Sequence, residues 1–227
     1  MILCGGQGTR IRDADWNLPK ALVPIHGKPI LWHIMSHYQK YGMNEFILCV
    51  GYKAQEIKKY FSENPHDFKI SYSDVGPSAM TGARIKFAED LIEQDKNFCL
   101  TYGDGVSDID LDELINFHKD HGKILSISGV SPPSRFGELV FDQDLNITAF
   151  DEKPALSQRK ISGGFFICRR EIFNYLNPED LDLIFEKAPM NQLVKDRQVK
   201  IFIHEGFWAA MDTYRDFLEL NSLKRLS

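Results

Sequence analysis

Met1-Ile2-Leu3-Cys4-Gly5-Gly6-Gln7-Gly8-Thr9-Arg10 opens the chain, and its reading decides the fold. The first four residues form a short apolar run of the kind that becomes a buried strand. Glycines follow at once, and glycine lets a chain turn tightly with its amides exposed. Bare N–H groups in such a turn make a concavity suited to phosphate oxygens. Arg10, and Lys20 within Leu18-Pro19-Lys20, add the full charges that a polyphosphate needs. The alternative is an ordinary glycine turn beside a solvated arginine. Two other phosphate loops are excluded. A dinucleotide fingerprint begun at Gly6 needs glycine where Ile11 stands, and no G-x-x-x-x-G-K-[ST] occurs.

Outward from that loop, strand-like runs recur at Ile2 to Cys4, Glu45 to Val50, Lys69 to Tyr72 and Asn97 to Tyr102. They continue at Ile124 to Val130, Glu138 to Phe141, Gly164 to Cys168 and Val199 to Ile203. Helical patterns alternate with the early ones. Pro29 stands at a favoured first-turn position, and Ile30, Leu31, Ile34, Met35 and Tyr38 make an apolar stripe behind it. Ala54 to Phe61, Gly82 to Ile92 and Leu111 to Lys119 follow, and helix returns at Arg170 to Leu176 and around Leu181 to Arg197. Alternation of this kind predicts an α/β fold: a mixed, mainly parallel Rossmann-like sheet with helices on both faces. The centre, Ile124 to Phe150, reads as strands and turns. No repeat, low-complexity tract or linker divides the chain, so one domain is expected over 1–227.

A net charge of −5 and a pI near 5.8 argue against a nucleic-acid surface, whose footprint is a basic patch. A small basic pocket for a nucleotide remains compatible with both. Cys4, Cys49, Cys99 and Cys168 are far apart with no C-x-x-C, and read as reduced core residues rather than a zinc site. No signal peptide and no apolar run of membrane-spanning length occurs, which places the chain in the cytoplasm by default and predicts no membrane partner. Four residues are a short lead-in for a first strand, so the natural start is expected upstream.

Ligands of parallel sheets lie beyond the carboxyl ends of the strands, where the Gly5 loop and Gly103-Asp104-Gly105 both fall. An aspartate between glycines at such an end suits Mg²⁺, which takes one or two carboxylates plus phosphate oxygens. A turn aspartate is the alternative. Asp212 sits in apolar Gly206-Phe207-Trp208-Ala209-Ala210-Met211-Asp212-Thr213, where either a metal or the cap of the helix from Tyr214 to Leu223 would account for its charge. Asp108 and Asp110 read as surface residues or a cap before Leu111. Lys153, in Glu152-Lys153-Pro154, could meet a second phosphate or be solvated. Ser162-Gly163-Gly164 offers close backbone approach to a ligand, or a bulge.

The ensemble resembles the sugar-nucleotide pyrophosphorylases, nucleotidyltransferases acting on sugar 1-phosphates, and it does so over essentially the whole chain. Gly5-Gly6-Gln7-Gly8-Thr9-Arg10 with Pro19-Lys20 is similar to their G-G-x-G-T-R…P-K signature, and Glu152-Lys153-Pro154 to their E-K-P. Asp104 and Asp212 match their two metal aspartates. Gly27-Lys28-Pro29-Ile30-Leu31-Trp32, Met80-Thr81-Gly82-Ala83-Arg84, Gly163-Gly164-Phe165-Phe166 and Met211-Asp212-Thr213-Tyr214-Arg215-Asp216 resemble the glucose-1-phosphate cytidylyltransferase branch. Three features depart from that branch. A long insertion after Tyr60-Phe61 shrinks here to Ser62 through Ser73, Ala83 replaces a second glycine, and Ala188 replaces a glutamate.

The resemblance implies a nucleotide-diphospho-sugar transferase fold and transfer of a nucleotidyl group, CMP from CTP, to glucose 1-phosphate. It implies Arg10 and Lys20 as catalytic residues, with Mg²⁺ on Asp104 and Asp212. The nucleotide would lie on Leu3, Gly5, Gly6, Gly8, Thr9 and Arg10, with Thr81, Gly82, Arg84 and Gly103 completing its site. Arg84 would read the base through cytosine O2 and N3. Lys153, Glu152 and Gly164 would hold the sugar phosphate. Other nucleotides or sugars stay open, as does a homo-oligomer. A non-catalytic binding subunit of the same fold should have lost Lys20, Asp104 or Asp212, and all three are present.

Overall fold

In the computed structural model the described residues are 1–6, 8, 18–92, 97–132, 137–151 and 160–223. Strand β1 (Ile2–Leu3) is central, with β4 (Glu45–Val50) on one side and β6 (Asn97–Tyr102) on the other, both parallel to it. Beyond β4 lies β5 (Lys69–Asp74), also parallel. Beyond β6 come β11 (Ile161–Arg169), β8 (Leu125–Val130) and β12 (Val199–Ile203), giving a seven-stranded sheet in the order β12-β8-β11-β6-β1-β4-β5. Strand β11 alone runs antiparallel to its neighbours, so the sheet is mixed but mainly parallel. Three two-stranded ribbons complete it. These are β2 (Pro24–Ile25) with β3 (Lys28–Pro29), β7 (Gly105–Ser107) with β13 (Trp208–Ala210), and β9 (Glu138–Phe141) with β10 (Ile147–Asp151).

Successive strand residues point to opposite faces, and the burial follows that period. Ile2, Leu48, Val50, Phe165 and Ile167 join one core with helices α1 (Ile30–Gln39), α2 (Ala54–Glu63) and α4 (Leu111–His121) and with Leu220 of α6 (Tyr214–Ser222). Leu3, Cys49, Leu100, Phe166 and Cys168 join the other, under α3 (Thr81–Phe87) and α5 (Ala188–Lys195). Phe165, Phe166, Phe173 and Phe185 are almost fully buried. Each contributes roughly 1.5–3 kcal/mol of transfer free energy. Three cysteines are buried and Cys99 half-buried, all four free.

Every strand-like run of the sequence is a strand here, and the helices differ at their ends. Pro29 pairs with Pro24 and caps α1 from outside, because the Ile30 amide bonds Val23 O. The α3 helix stops at Phe87, where Ala88 leaves helical geometry for a 3₁₀ turn. Arg170–Tyr175 is also 3₁₀. From Leu181 only Ala188–Lys195 is α-helix. An Asx turn at Asp180, accepting from the Asp182 amide, bends the preceding residues, and Pro189 starts the helix in its first turn.

Candidate active site

The glycine loop leaves the carboxyl end of β1 at the middle of the sheet. A Cβ on Gly5 would come within 2.4 Å of the Arg84 guanidinium, so only glycine fits there. Gly6 faces open space, and Gly8, at φ +58°, lies against the Lys20 stem. Thr9 and Arg10 lie outside the described residues, as do Glu152 and Lys153. Pro19 leads into a 3₁₀ turn at Lys20–Leu22 that holds the lysine backbone beside this loop.

Asp104 gets its position from two pairings. The Gly103 amide donates to Leu3 O at 2.9 Å, and a Cβ on Gly103 would crowd that same oxygen, so β6 ends flush against β1. The β7/β13 ribbon then matches Gly105 with Ala210, and the Met211 amide donates to Asp104 O. That register sets Asp212 next to Asp104, although 108 positions separate them in sequence. Lys20 Nζ donates to Asp104 Oδ2 at 2.7 Å and to Asp212 Oδ1 at 2.8 Å. All three side chains are only partly exposed. The cap alternative for Asp212 is not what the structure shows. Thr213 caps α6 in a capping box with Asp216, and Asp216 also accepts from the Asp212 amide. Asp110 does cap α4, accepting from the Glu113 amide.

Gly164, at φ +75°, abuts Tyr102, where a Cβ would sit 2.6 Å from the ring. Its carbonyl accepts from Thr101 Oγ1, and the β11/β8 register shifts beside it, so the glycine pair makes a bulge. Arg84 is 3% exposed. Its Nη1 donates to Val50 O, and its Nη2 donates to Gly5 O at 3.2 Å and Gly76 O at 3.0 Å. Gly82 packs so closely on Leu183 that a Cβ would reach its carbonyl oxygen at 2.8 Å. Thr81 opens α3 and donates to Glu186 Oε2 at 2.6 Å. Among the described residues, then, the sequence-derived loop, lysine and two aspartates meet at one end of the sheet, with Thr81, Gly82 and Arg84 beside β1 and β4. Sequence reading missed Glu186 and Trp208, whose indole donates to Gly163 O. Neither stands in a motif that signals it.

A model described as nucleotidyl transferase matches residues 1–225. The chain belongs to that family. It is 40% identical to a probable glucose-1-phosphate cytidylyltransferase of Bacillus subtilis (strain 168), over 98% of this chain and 94% of the relative. It is 38% identical to a glucose-1-phosphate cytidylyltransferase of Salmonella typhi, with the same coverage. The Bacillus alignment spans 244 positions against 227 residues here, so this chain is the shorter within it. Among solved structures, HddC from Yersinia pseudotuberculosis in complex with GMP-PN superposes with a TM-score of 0.76 at 28% identity, covering 97% of this chain and 96% of that one.

Nucleotidyl transferases handle polyphosphate, which raises the question of a metal. The donor chemistry fits Mg²⁺. Two hard carboxylate oxygens from separate elements already converge on one cationic group, the Lys20 ammonium. No cluster of three or more His, Cys, Asp or Glu occurs among the described residues. No helix among those residues is long and apolar enough to cross a membrane.

Proposed function

We propose that this nucleotidyl transferase moves CMP from CTP to glucose 1-phosphate, releasing pyrophosphate, with Asp104 and Asp212 holding Mg²⁺. The observation that carries the reading is the meeting of Lys20, Asp104 and Asp212 beside the glycine loop. Full-length similarity to two glucose-1-phosphate cytidylyltransferases supports the base and the sugar.

The nucleophile is a phosphate oxygen of the sugar 1-phosphate. It is ionised at neutral pH, so no general base is required. A bond forms from that oxygen to the α-phosphorus, and the bond from the α-phosphorus to the bridging oxygen breaks, leaving pyrophosphate. Two anions must come together in line, so positioning and charge compensation are the main work. When bound, Mg²⁺ supplies charge neutralisation at the phosphates. The glycine-loop amides and Arg10 bind the triphosphate. Lys20, released from its two carboxylates, reaches between the reacting phosphates and stabilises the charge shared in the transition state. Lys153 binds the sugar phosphate, with Glu152 and the Gly164 backbone orienting the sugar. Arg84 shapes the floor of the nucleotide site through the loop ends that its guanidinium ties together.

Self-association belongs to the same reading. The β9/β10 ribbon turns Phe141, Ile147 and Phe150 to solvent, each more than 60% exposed, and light scattering of the purified chain tests it. The reaction itself is tested by a matrix of nucleoside triphosphates against sugar 1-phosphates, scored by pyrophosphate release. The highest kcat/KM is expected for CTP with glucose 1-phosphate. Preference for another nucleotide overturns the base assignment, and release from no pair overturns the reaction.

A further inference from the structure

We infer that Glu186 is a positioning residue for the nucleotide, acting through Thr81 and Tyr102. The inference rests on the nucleotide site proposed above and adds a residue to it. Glu186 lies in the segment between the 3₁₀ turn at Arg170–Tyr175 and α5, far in sequence from both partners. Its Oε2 accepts from Thr81 Oγ1 at 2.6 Å, and its Oε1 accepts from the Tyr102 hydroxyl. Each oxygen thus serves a different wall of the site. Thr81 is the first residue of α3, directly before Gly82. Tyr102 is the last residue of β6, directly before Gly103 and Asp104.

Both hydroxyls are committed. Thr81 Oγ1 also accepts from the Phe185 amide at 2.9 Å, so its one proton can go only to the carboxylate. The Tyr102 hydroxyl carries a single proton, and the Glu186 carboxylate takes it. The Tyr102 ring is fixed besides, lying against Gly164 and edge-on to Phe166 at 5.5 Å between centroids. The backbone already docks α3 on this segment, since the Met80 amide bonds Leu181 O and the Gly82 amide bonds Leu183 O. Folding therefore does not need the carboxylate. Glu186 is exposed, and exposed charges add little stability. What the carboxylate adds is a fixed spacing between the α3 amino end and the strand end that carries Asp104.

Glutamine at 186 keeps one carbonyl acceptor, so one of the two hydroxyls must turn. Alanine frees both. The test measures CTP binding by calorimetry and steady-state kinetics for Glu186→Gln, Glu186→Ala, Tyr102→Phe and the double variant. Glu186→Ala should raise the CTP Kd and KM about five- to tenfold, the scale of one lost hydrogen bond, with glucose 1-phosphate KM and the melting temperature nearly unchanged. Glu186→Gln should recover part of the loss. Tyr102→Phe should add little on top of Glu186→Ala, because both remove the same contact. If CTP affinity is unchanged in Glu186→Ala while the wild type turns over CTP, the inference fails and the proposed function stands. Equal losses for both substrates, or additive effects, also overturn it. A wild type that neither binds nor turns over CTP removes the proposed function and the inference together.

Discussion

Lys20 is where the site's electrostatics are concentrated. One ammonium satisfies two carboxylates at 2.7 and 2.8 Å, and removing it leaves two like charges facing each other. Lys20→Met should lower the melting temperature of the metal-free protein, and Mg²⁺ should restore more stability to that variant than to the wild type. Thermal melts in chelator and in excess Mg²⁺ check this, and an identical Mg²⁺ response in both proteins removes Asp104 and Asp212 from the metal site. Turnover should fall roughly 10²-fold or more in Asp104→Asn or Asp212→Asn, the scale of one strong transition-state interaction. Lys20 and Asp104 were legible in sequence because proline and glycine punctuate them, and Asp212 because a charge stood out in apolar surroundings. Glu186 was not, because it lay inside a stretch that read as helix, Leu181 to Arg197, and it finds its partners only through tertiary contact.

At the scale of elements, short pairings decide the site. The β7/β13 ribbon has three residues per strand, too few for an alternation to register in sequence, yet it brings the two aspartates together. A register slip would turn its side chains to the opposite face. Gly103→Ala places a Cβ within 2.9 Å of Leu3 O, a backbone atom that cannot swing aside. Turnover should drop more than about tenfold as the β6 end shifts. Unchanged kcat would show that the junction is not under that constraint. Away from the site, α4 packs on β8 and carries His118, whose Nδ1 and the Nε2 of His121 share Ser126 Oγ. His118 is 2% exposed, and burial pushes its imidazole down to about 4. The unfolded chain takes up that proton near pH 6.5 and the folded one does not until about 4. Stability is therefore full above about pH 6.5 and falls as pH drops toward 4. Denaturant unfolding at pH 7 and pH 5 should show the loss, and His118→Gln should flatten it.

Across the whole molecule, the sequence carried the parallel character of the sheet's first half, because its strand-like runs there alternate with helical patterns, but it carried no strand order. Strand β11 was read as a strand but not as antiparallel, and the turn after it was read as helix rather than 3₁₀, since pairing partners and neighbours decide both. Arg84 shows what that tertiary context does to a motif residue. The resemblance assigned its guanidinium to a base. In the structure it ties together the ends of three neighbouring strands: Gly5 after β1, Val50 at the end of β4 and Gly76 after β5. Glycine at 5 and at 51 leaves room for it, for a Cβ at either would approach within 2.4 Å. A lysine cannot replace this fork, because a point charge on a flexible stem cannot donate in three fixed directions. Arg84→Ala takes the guanidinium from the Val50 and Gly76 carbonyls, while Gly5 O keeps the Tyr52 amide, at about 1–3 kcal/mol for each group left buried without another donor. Arg84→Ala and Arg84→Lys should therefore both lower the melting temperature by several degrees and raise the CTP KM, with the CTP/UTP ratio of kcat/KM nearly constant. Direct reading of the base predicts the reverse: a ratio that narrows toward one with little change in melting temperature. Measuring both quantities on the same two variants separates a residue that touches the nucleotide from one that holds its floor in place.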